Sequence, residues 1–234
     1  KVVKANADYV PSFESGGSLY VRPLIFGTDP VLGVKPATEF EFRIFVSPVG
    51  NYFAGGVKPL NLRISDYDRA APVGTGHIKA GLNYAMSLYP IVEAHEQGYD
   101  ENLYLDPLTR TYIEETGGAN IIFISKDGSL VTPRSNTILP SITRRSIVEI
   151  CRDRLGMNVE ERKIALEELA DMKECALCGT AAVVSPVGTI TTSDRTYTFN
   201  SVGEGSIISR ISDVMSDIRS GKMDSPDGWL MKMI

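Results

Sequence analysis

Cysteine is scarce in this sequence: three residues in 234, an odd count that cannot be fully paired within the chain. A disulfide framework is therefore not expected, and a reducing compartment is. Basic tracts are missing too. The formal charge is −5 and no run of lysine and arginine stands out, which argues against nucleic acid as the main partner. No stretch approaches the roughly 18–20 apolar residues that cross a bilayer. The opening Lys1-Val2-Val3-Lys4-Ala5-Asn6-Ala7-Asp8 lacks the apolar core of a signal peptide. These absences predict a cytoplasmic protein with neither a nucleic-acid nor a membrane partner. What is present is ordinary for a globular protein, 43% hydrophobic and 23% charged. The length suits one large domain or two small ones with a substantial core.

Residues 1–17 are polar and without a period. From Leu19 the pattern alternates as in a strand, with Leu19, Val21 and Ile25 on one face and Tyr20, Arg22 and Leu24 on the other. Arg22 beside Tyr20 fits either an edge-strand arginine reaching water or an anion site. Residues 39–46 alternate again, placing Phe40, Phe42, Ile44 and Val46 on one face of an antiparallel strand with one wet side. The stretch Ser47-Pro48-Val49-Gly50-Asn51-Tyr52-Phe53-Ala54-Gly55-Gly56 is rich in turn residues and reads as a domain boundary. Further on, Ala85, Leu88, Tyr89 and Val92 recur at helical spacing up to Gly98, with Pro90 expected to kink that helix or lie near its end. Residues 102–105 with 111–115, and 120–124 with 130–132, read as consecutive hairpins and hence a mixed or antiparallel sheet. Helices are expected over 143–155 and 166–172 and along the apolar stripe Ile207, Ile208, Ile211, Val214, Met215, Ile218; strands are expected over 159–164, 175–177 and 182–187.

Four stretches carry residues suited to chemistry. In Gly74-Thr75-Gly76-His77-Ile78-Lys79-Ala80-Gly81-Leu82-Asn83-Tyr84, Lys79 is either a solvated charge or an amine poised for a Schiff base, with glycines that let the backbone approach a ligand. In Ile113-Glu114-Glu115-Thr116-Gly117-Gly118-Ala119-Asn120, two carboxylates end a hairpin strand. Leu139-Pro140-Ser141-Ile142-Thr143-Arg144 leads into a helix, with Ser141 as N-cap and free amides suited to an anion. Gly179-Thr180-Ala181 is a tight turn that can aim amides and a hydroxyl at a second anion. Pyridoxal phosphate (PLP) needs an amine, a carboxylate at its pyridine nitrogen, and donors for its phosphate.

Together with Ser18-Leu19-Tyr20-Val21-Arg22-Pro23-Leu24-Ile25-Phe26-Gly27, these motifs occur in the order found in branched-chain amino acid aminotransferases, which the chain resembles from about Ser18 to Gly228-Trp229. The resemblance implies an α+β, fold-type-IV PLP enzyme that moves the amino group of leucine, isoleucine or valine to 2-oxoglutarate. It implies an incomplete small N-terminal α/β domain over residues 1–48, an interdomain loop over 49–59, and a large PLP-binding domain over 60–234 built as a mixed-sheet pseudo-barrel with flanking helices. Lys79 matches the Schiff-base lysine, Glu115 the carboxylate at the pyridine nitrogen, and Tyr84 the phenol beside the ring hydroxyl. Leu139 matches the residue packed on the ring, and Ile142, Thr143, Gly179 and Thr180 the phosphate-side contacts. Tyr20, Arg22, Tyr52 and the amides of Thr180 and Ala181 match substrate contacts. Leu32 and Val34 match a loop that reaches the partner subunit's pocket in a homodimer. No metal is implied.

The sequence departs from the family in two places. A family segment preceding the Ser18 motif, which supplies a phosphate-binding arginine, has no counterpart here. The redox Cys-x-x-Cys that eukaryotic relatives carry just after the Gly-Thr-Ala turn is missing, since residues 182–187 hold no cysteine, while Cys175 and Cys178 precede the turn and read as structural thiols. D-amino-acid aminotransferase and aminodeoxychorismate lyase share the lysine and glutamate, but Tyr20-Val21-Arg22 and the long 50–56 linker argue against both. A phosphate-loop nucleotide site fails because no Gly-Lys-Ser/Thr follows Gly76. An inactive fragment that serves only as a packing unit is the remaining alternative.

Overall fold

The structure is a computed structural model, described here for residues 1–50, 57–181 and 183–231. The chain divides into two compact units, Lys1–Gly56 with Pro226–Ile234, and Val57–Ser225. In the first unit, a short helix α1 (Val2–Ala5) and two single 3₁₀ turns precede β1 (Ser18–Gly27) and β2 (Phe40–Val49). These pair antiparallel in unbroken register from Ser18↔Val49 to Gly27↔Phe40. The loop between them is tied by Asp29, which accepts from the amides of Thr38 at 2.9 Å and Glu39 at 3.1 Å. The alternation in β2 does make a strand, but the expected dry side is open: Phe40 and Phe42 are 61% and 63% exposed. A two-stranded ribbon offers no second layer to bury that face against.

The second unit is a nine-stranded mixed sheet. Its strands are β3 (Leu60–Ile64), β4 (Glu101–Leu105), β5 (Ile113–Thr116), β6 (Asn120–Ser125), β7 (Leu130–Pro133), β8 (Val159–Arg162), β9 (Met172–Gly179), β10 (Val183–Thr191) and β11 (Thr196–Thr198). The spatial order is β5-β4-β3-β10-β9-β6-β7-β8, with β11 on β10. Both expected hairpins, β4–β5 and β6–β7, are antiparallel, whereas β3–β4, β3–β10 and β7–β8 run parallel. The two ends of the sheet meet. The Ile113 amide donates to Ile164 O at 2.8 Å and Tyr112 bridges Ala165, so the sheet curls almost into a barrel.

That curl has an inside and an outside. Leu62, Leu103, Leu105, Ile121, Phe123 and Leu177 share one core from neighbouring strands, as residues at i and i+2 must if they face one interior. The outer face is covered by α4 (Ile142–Asp153) and α5 (Ile207–Ser220), which pack on β9 through stripes that include Ile147 and Cys151, and Ile208, Ile211 and Met215. Because both faces are dry, β6 reads as the unbroken apolar run Ile121-Ile122-Phe123-Ile124. Glu174, fully buried on β9, seats α5: it accepts from the amides of Ile207 at 3.1 Å and Ile208 at 2.8 Å and from Ser206 Oγ at 2.8 Å. The short helix expected over 166–172 is a 3₁₀ helix over Leu166–Asp171.

The helical stretch after Lys79 also differs from expectation. It is broken at residues 86–87 into α2 (Gly81–Ala85) and α3 (Leu88–Glu96), and Pro90 falls in the first turn of α3, where its missing N–H costs nothing. Pro90 and Ala94 are the buried residues of α3, so Leu88, Tyr89 and Val92 are left exposed.

Candidate functional site

Lys79 is set by the loop that follows β3. Asn83, 2% exposed in α2, donates through Nδ2 to Thr75 O at 2.7 Å and Ile78 O at 3.0 Å, and accepts from Thr75 Oγ1 at 3.3 Å. One short side chain thus reinforces the turn bonds that the Ile78 amide gives Thr75 O and the Ala80 amide gives Ile78 O, each at 2.8 Å. Gly76 lies against another strand of chain: a Cβ there would sit 2.2 Å from Thr137 O. The expectation that these glycines open the backbone to a ligand is therefore corrected at Gly76, whose close approach is to the Thr137 main chain. Lys79 itself is exposed, but it is not adrift. Its Nζ donates to the Tyr84 hydroxyl at 2.8 Å and lies 4.8 Å from the centre of the Tyr84 ring.

Glu115 faces the same cavity. The pleat of β5 sends Glu114 and Glu115 to opposite faces. Glu115 is 3% exposed; its Oε1 accepts from the Leu139 amide at 2.9 Å and pairs with Arg69 Nη2 at 2.7 Å, while Oε2 accepts from Asn120 Nδ2. Burial pushes the Glu115 carboxyl up to about 7, although the Arg69 charge and the hydrogen bonds from Leu139 and Asn120 pull the other way. Arg69 also donates to Gly76 O at 3.0 Å and to Thr137 O. One guanidinium therefore ties the Lys79 loop, the loop at Thr137 that precedes α4, and Glu115.

Two turns complete the cavity. Ser141 caps α4 by accepting from the Arg144 amide at 3.3 Å, and the first-turn amides of Ile142 and Thr143 have no partner within the helix. The β9–β10 turn brings in Gly179 and Thr180, with Ala181 next to it. Lys79, Tyr84, Glu115, Leu139, Gly179 and Thr180 line one cavity together with Arg69, Asn120, Ser141 and Cys178. Asn120 Oδ1, in that wall, is buried with no hydrogen-bond partner among the described residues.

Of the other expected site residues, Ile142, Thr143 and Ala181 are not among those that line this cavity. Tyr20 and Arg22 belong to the first unit, where Arg22 Nη2 donates to the Tyr20 hydroxyl at 3.1 Å and the guanidinium lies 5.1 Å from the ring centre. Leu32 and Val34, in the same unit, are fully exposed. Tyr52 falls outside the described residues. Cys175 and Cys178 are free and buried, with burial pushing the Cys178 thiol up to about 12 and Cys175 up as well, so neither is a nucleophile near neutral pH.

Residues 1–190 match the family described as Amino-transferase class IV. The chain belongs to the class IV amino-transferase family. Among its relatives, a branched-chain-amino-acid aminotransferase of Haemophilus influenzae is 45% identical over all of this chain and 70% of its own length. One of Helicobacter pylori is 43% identical, covering all of this chain and 68% of its own. The crystal structure of the Escherichia coli branched-chain amino acid aminotransferase superposes with a TM-score of 0.76 at 31% identity, over 92% of this chain and 69% of that one. The Thermobaculum terrenum enzyme, solved in a PLP-form, superposes with a TM-score of 0.74 at 28% identity, over 88% of this chain and 65% of that one. The fold is thus that of the fold-type-IV aminotransferases, and the chain spans about two thirds of these relatives' length.

Sequence reasoning passed over three residues of this class IV aminotransferase site. Arg69 lies in Asp66-Tyr67-Asp68-Arg69-Ala70-Ala71-Pro72, a run to which the sequence pattern assigns no role. The signal available was its setting beside Ala70 and the glycines, small residues that let an arginine pack inward. Asn83 and Asn120 sit inside quoted motifs but carried no role, because nothing local shows that an amide will pin a loop or a carboxylate.

Proposed function

We propose that this chain is the catalytic part of a branched-chain amino acid transaminase, moving the amino group of L-leucine, L-isoleucine or L-valine to 2-oxoglutarate with PLP as cofactor. The observation that carries the reading is the meeting of Lys79 and its Tyr84 partner with the buried Glu115–Arg69 pair in one cavity. The donor set fits PLP. It offers a primary amine, a buried carboxylate, unpartnered helix amides and threonine hydroxyls, and the orphaned Asn120 Oδ1 marks a wall built to face a polar group. When bound, PLP supplies an aldehyde that takes up the amine and a ring that withdraws electrons.

The chain's own residues account for the rest. Lys79 Nζ would hold the cofactor through its amine and would carry the proton taken from the substrate Cα. Tyr84, which accepts from that amine, orients it and would help hold the cofactor's ring hydroxyl. Glu115 holds a proton at the pyridine nitrogen, and Arg69 keeps the carboxylate aimed there. The amides of Ile142 and Thr143 and the hydroxyls of Thr143 and Thr180 hold the phosphate at the start of α4, with Gly179 giving it room. Leu139 packs on the ring. Tyr20, Arg22, Tyr52 and the amides of Thr180 and Ala181 bind substrate, while Leu32 and Val34 of one subunit complete the pocket of the other in a cytoplasmic homodimer. No helix among the described residues is long and apolar enough to cross a membrane.

The reading is tested by amino-donor choice. PLP-loaded protein with 2-oxoglutarate should produce glutamate from L-leucine, L-isoleucine and L-valine, with little from D-alanine. A preference for D-alanine would contradict it.

A further inference from the structure

A second cavity, of about 480 Å³, lies at the seam where the sheet nearly closes, on the face of β5 opposite Glu115. Its size is that of a small-molecule pocket. Glu114 forms part of its wall, 2% exposed, with Oε1 taken by the hydroxyls of Ser135 at 2.7 Å and of Thr137. Five charged side chains line the cavity, but they are not equally free. Asp106 is consumed by its own loop: it accepts from the amides of Thr109 at 2.8 Å and of Thr111 and Tyr112 at 2.9 Å, which holds its carboxyl down at about 2. Arg162 is held by Glu160 at 2.8 Å and Glu168 at 2.7 Å. Two cations are left over. Arg134 is exposed, and its side chain has no hydrogen bond or ion pair among the described residues. Lys163 faces only the Tyr112 ring, 4.9 Å from its centre. Pro107, Leu108 and the Tyr112 ring give the cavity an apolar wall beside the polar Ser135, Asn136 and Thr137.

We propose that this cavity binds a small organic carboxylate, with the carboxylate between Arg134 and Lys163 and a short apolar body against Leu108 and Tyr112. Two unpaired cations over an apolar wall attract an anion that brings its own hydrophobic surface, and disfavour a fully hydrated one. The site is separate from the Lys79 cavity but joined to it by one segment. Thr137 contacts Glu114 through its hydroxyl and Arg69 through its carbonyl, and two residues on, the Leu139 amide donates to Glu115. The binding claim does not depend on the aminotransferase reading, since its test needs no turnover.

The probe is 4-fluorobenzoate, followed by fluorine NMR on the PLP-loaded protein, with inorganic phosphate as the comparison anion. Saturable binding of 4-fluorobenzoate is expected, tighter than that of phosphate. The double variant Arg134→Gln/Lys163→Gln should weaken it about tenfold or more, because both charge contacts are lost, and Lys79→Ala should leave it unchanged. Both exchanged side chains are exposed and make no hydrogen bond, so the double variant keeps the fold, which an unchanged melting curve checks. Absent saturation, undiminished binding to the double variant, loss of binding in Lys79→Ala, or phosphate binding more tightly than 4-fluorobenzoate would each overturn the proposal.

Discussion

Glu115 is buried next to Arg69, and the balance between the two sets how the site responds to pH. Its carboxyl is raised from an ordinary 4.5 to about 7, so between these values the folded state holds a proton that the unfolded chain has released. Stability from this group is therefore fully present below about 4.5 and is lost as pH rises through about 7. The drop across that window is on the order of 3 kcal/mol. Urea unfolding of the PLP-free protein at pH 5 and pH 8 should show it, and Glu115→Gln should flatten the difference. With PLP bound, the same variant should retain the cofactor but cut turnover by about a hundredfold or more, since an electrostatic contribution of several kcal/mol is lost. An unchanged rate would remove Glu115 from that role. Arg69 acts one step back. Arg69→Met removes the charge that holds the Glu115 pKa down, so the buried carboxyl takes up a proton even at pH 8 and its hydrogen-bonded ion pair is lost, which should cost about 1–3 kcal/mol there. The loss should be smaller at pH 5, where Glu115 is protonated in the fold. Equal losses at both pH values would show that Arg69 only packs.

At the level of elements, the site is three loops held by side-chain amides and caps rather than by strand pairing. Asn83 is the chief of these, since it bonds both ends of the segment from Thr75 to Ile78 that delivers Lys79. Asn83→Ala removes two hydrogen bonds, although Thr75 O keeps the Ile78 amide and Ile78 O keeps the Ala80 amide, and should destabilise the protein by about 1–3 kcal/mol. It should also lower PLP affinity, measured by cofactor titration, while the pH profile of Glu115 stays in place. The elements themselves were mostly legible. Consecutive hairpins, the Ser141 cap and the α5 stripe are local patterns, and local patterns decide them. The exceptions are not marked by the apolar pattern. It runs through residues 86–87 without a stop signal, although the helix breaks there, and the exposure of Phe40 and Phe42 follows from a ribbon without a second layer.

Across the whole molecule, the site gathers residues from positions 69 to 180, brought together because the sheet curls until β5 meets the segment after β8. Motif order made Lys79, Tyr84, Glu115, Leu139 and Thr180 readable as one set before any coordinates. The pairing of Arg69 with Glu115 was not readable, because sheet closure and not sequence distance puts them in contact. The same curl creates the seam cavity with Arg134 and Lys163, which no motif marks. The central claim is that Lys79 is the amine that holds the cofactor. It is tested most directly by adding PLP, reducing with borohydride, and mapping the label by peptide mass. The label is predicted on Lys79 alone and is predicted to vanish in Lys79→Ala; stable labelling of another lysine, with Lys79 unmodified, would contradict the account.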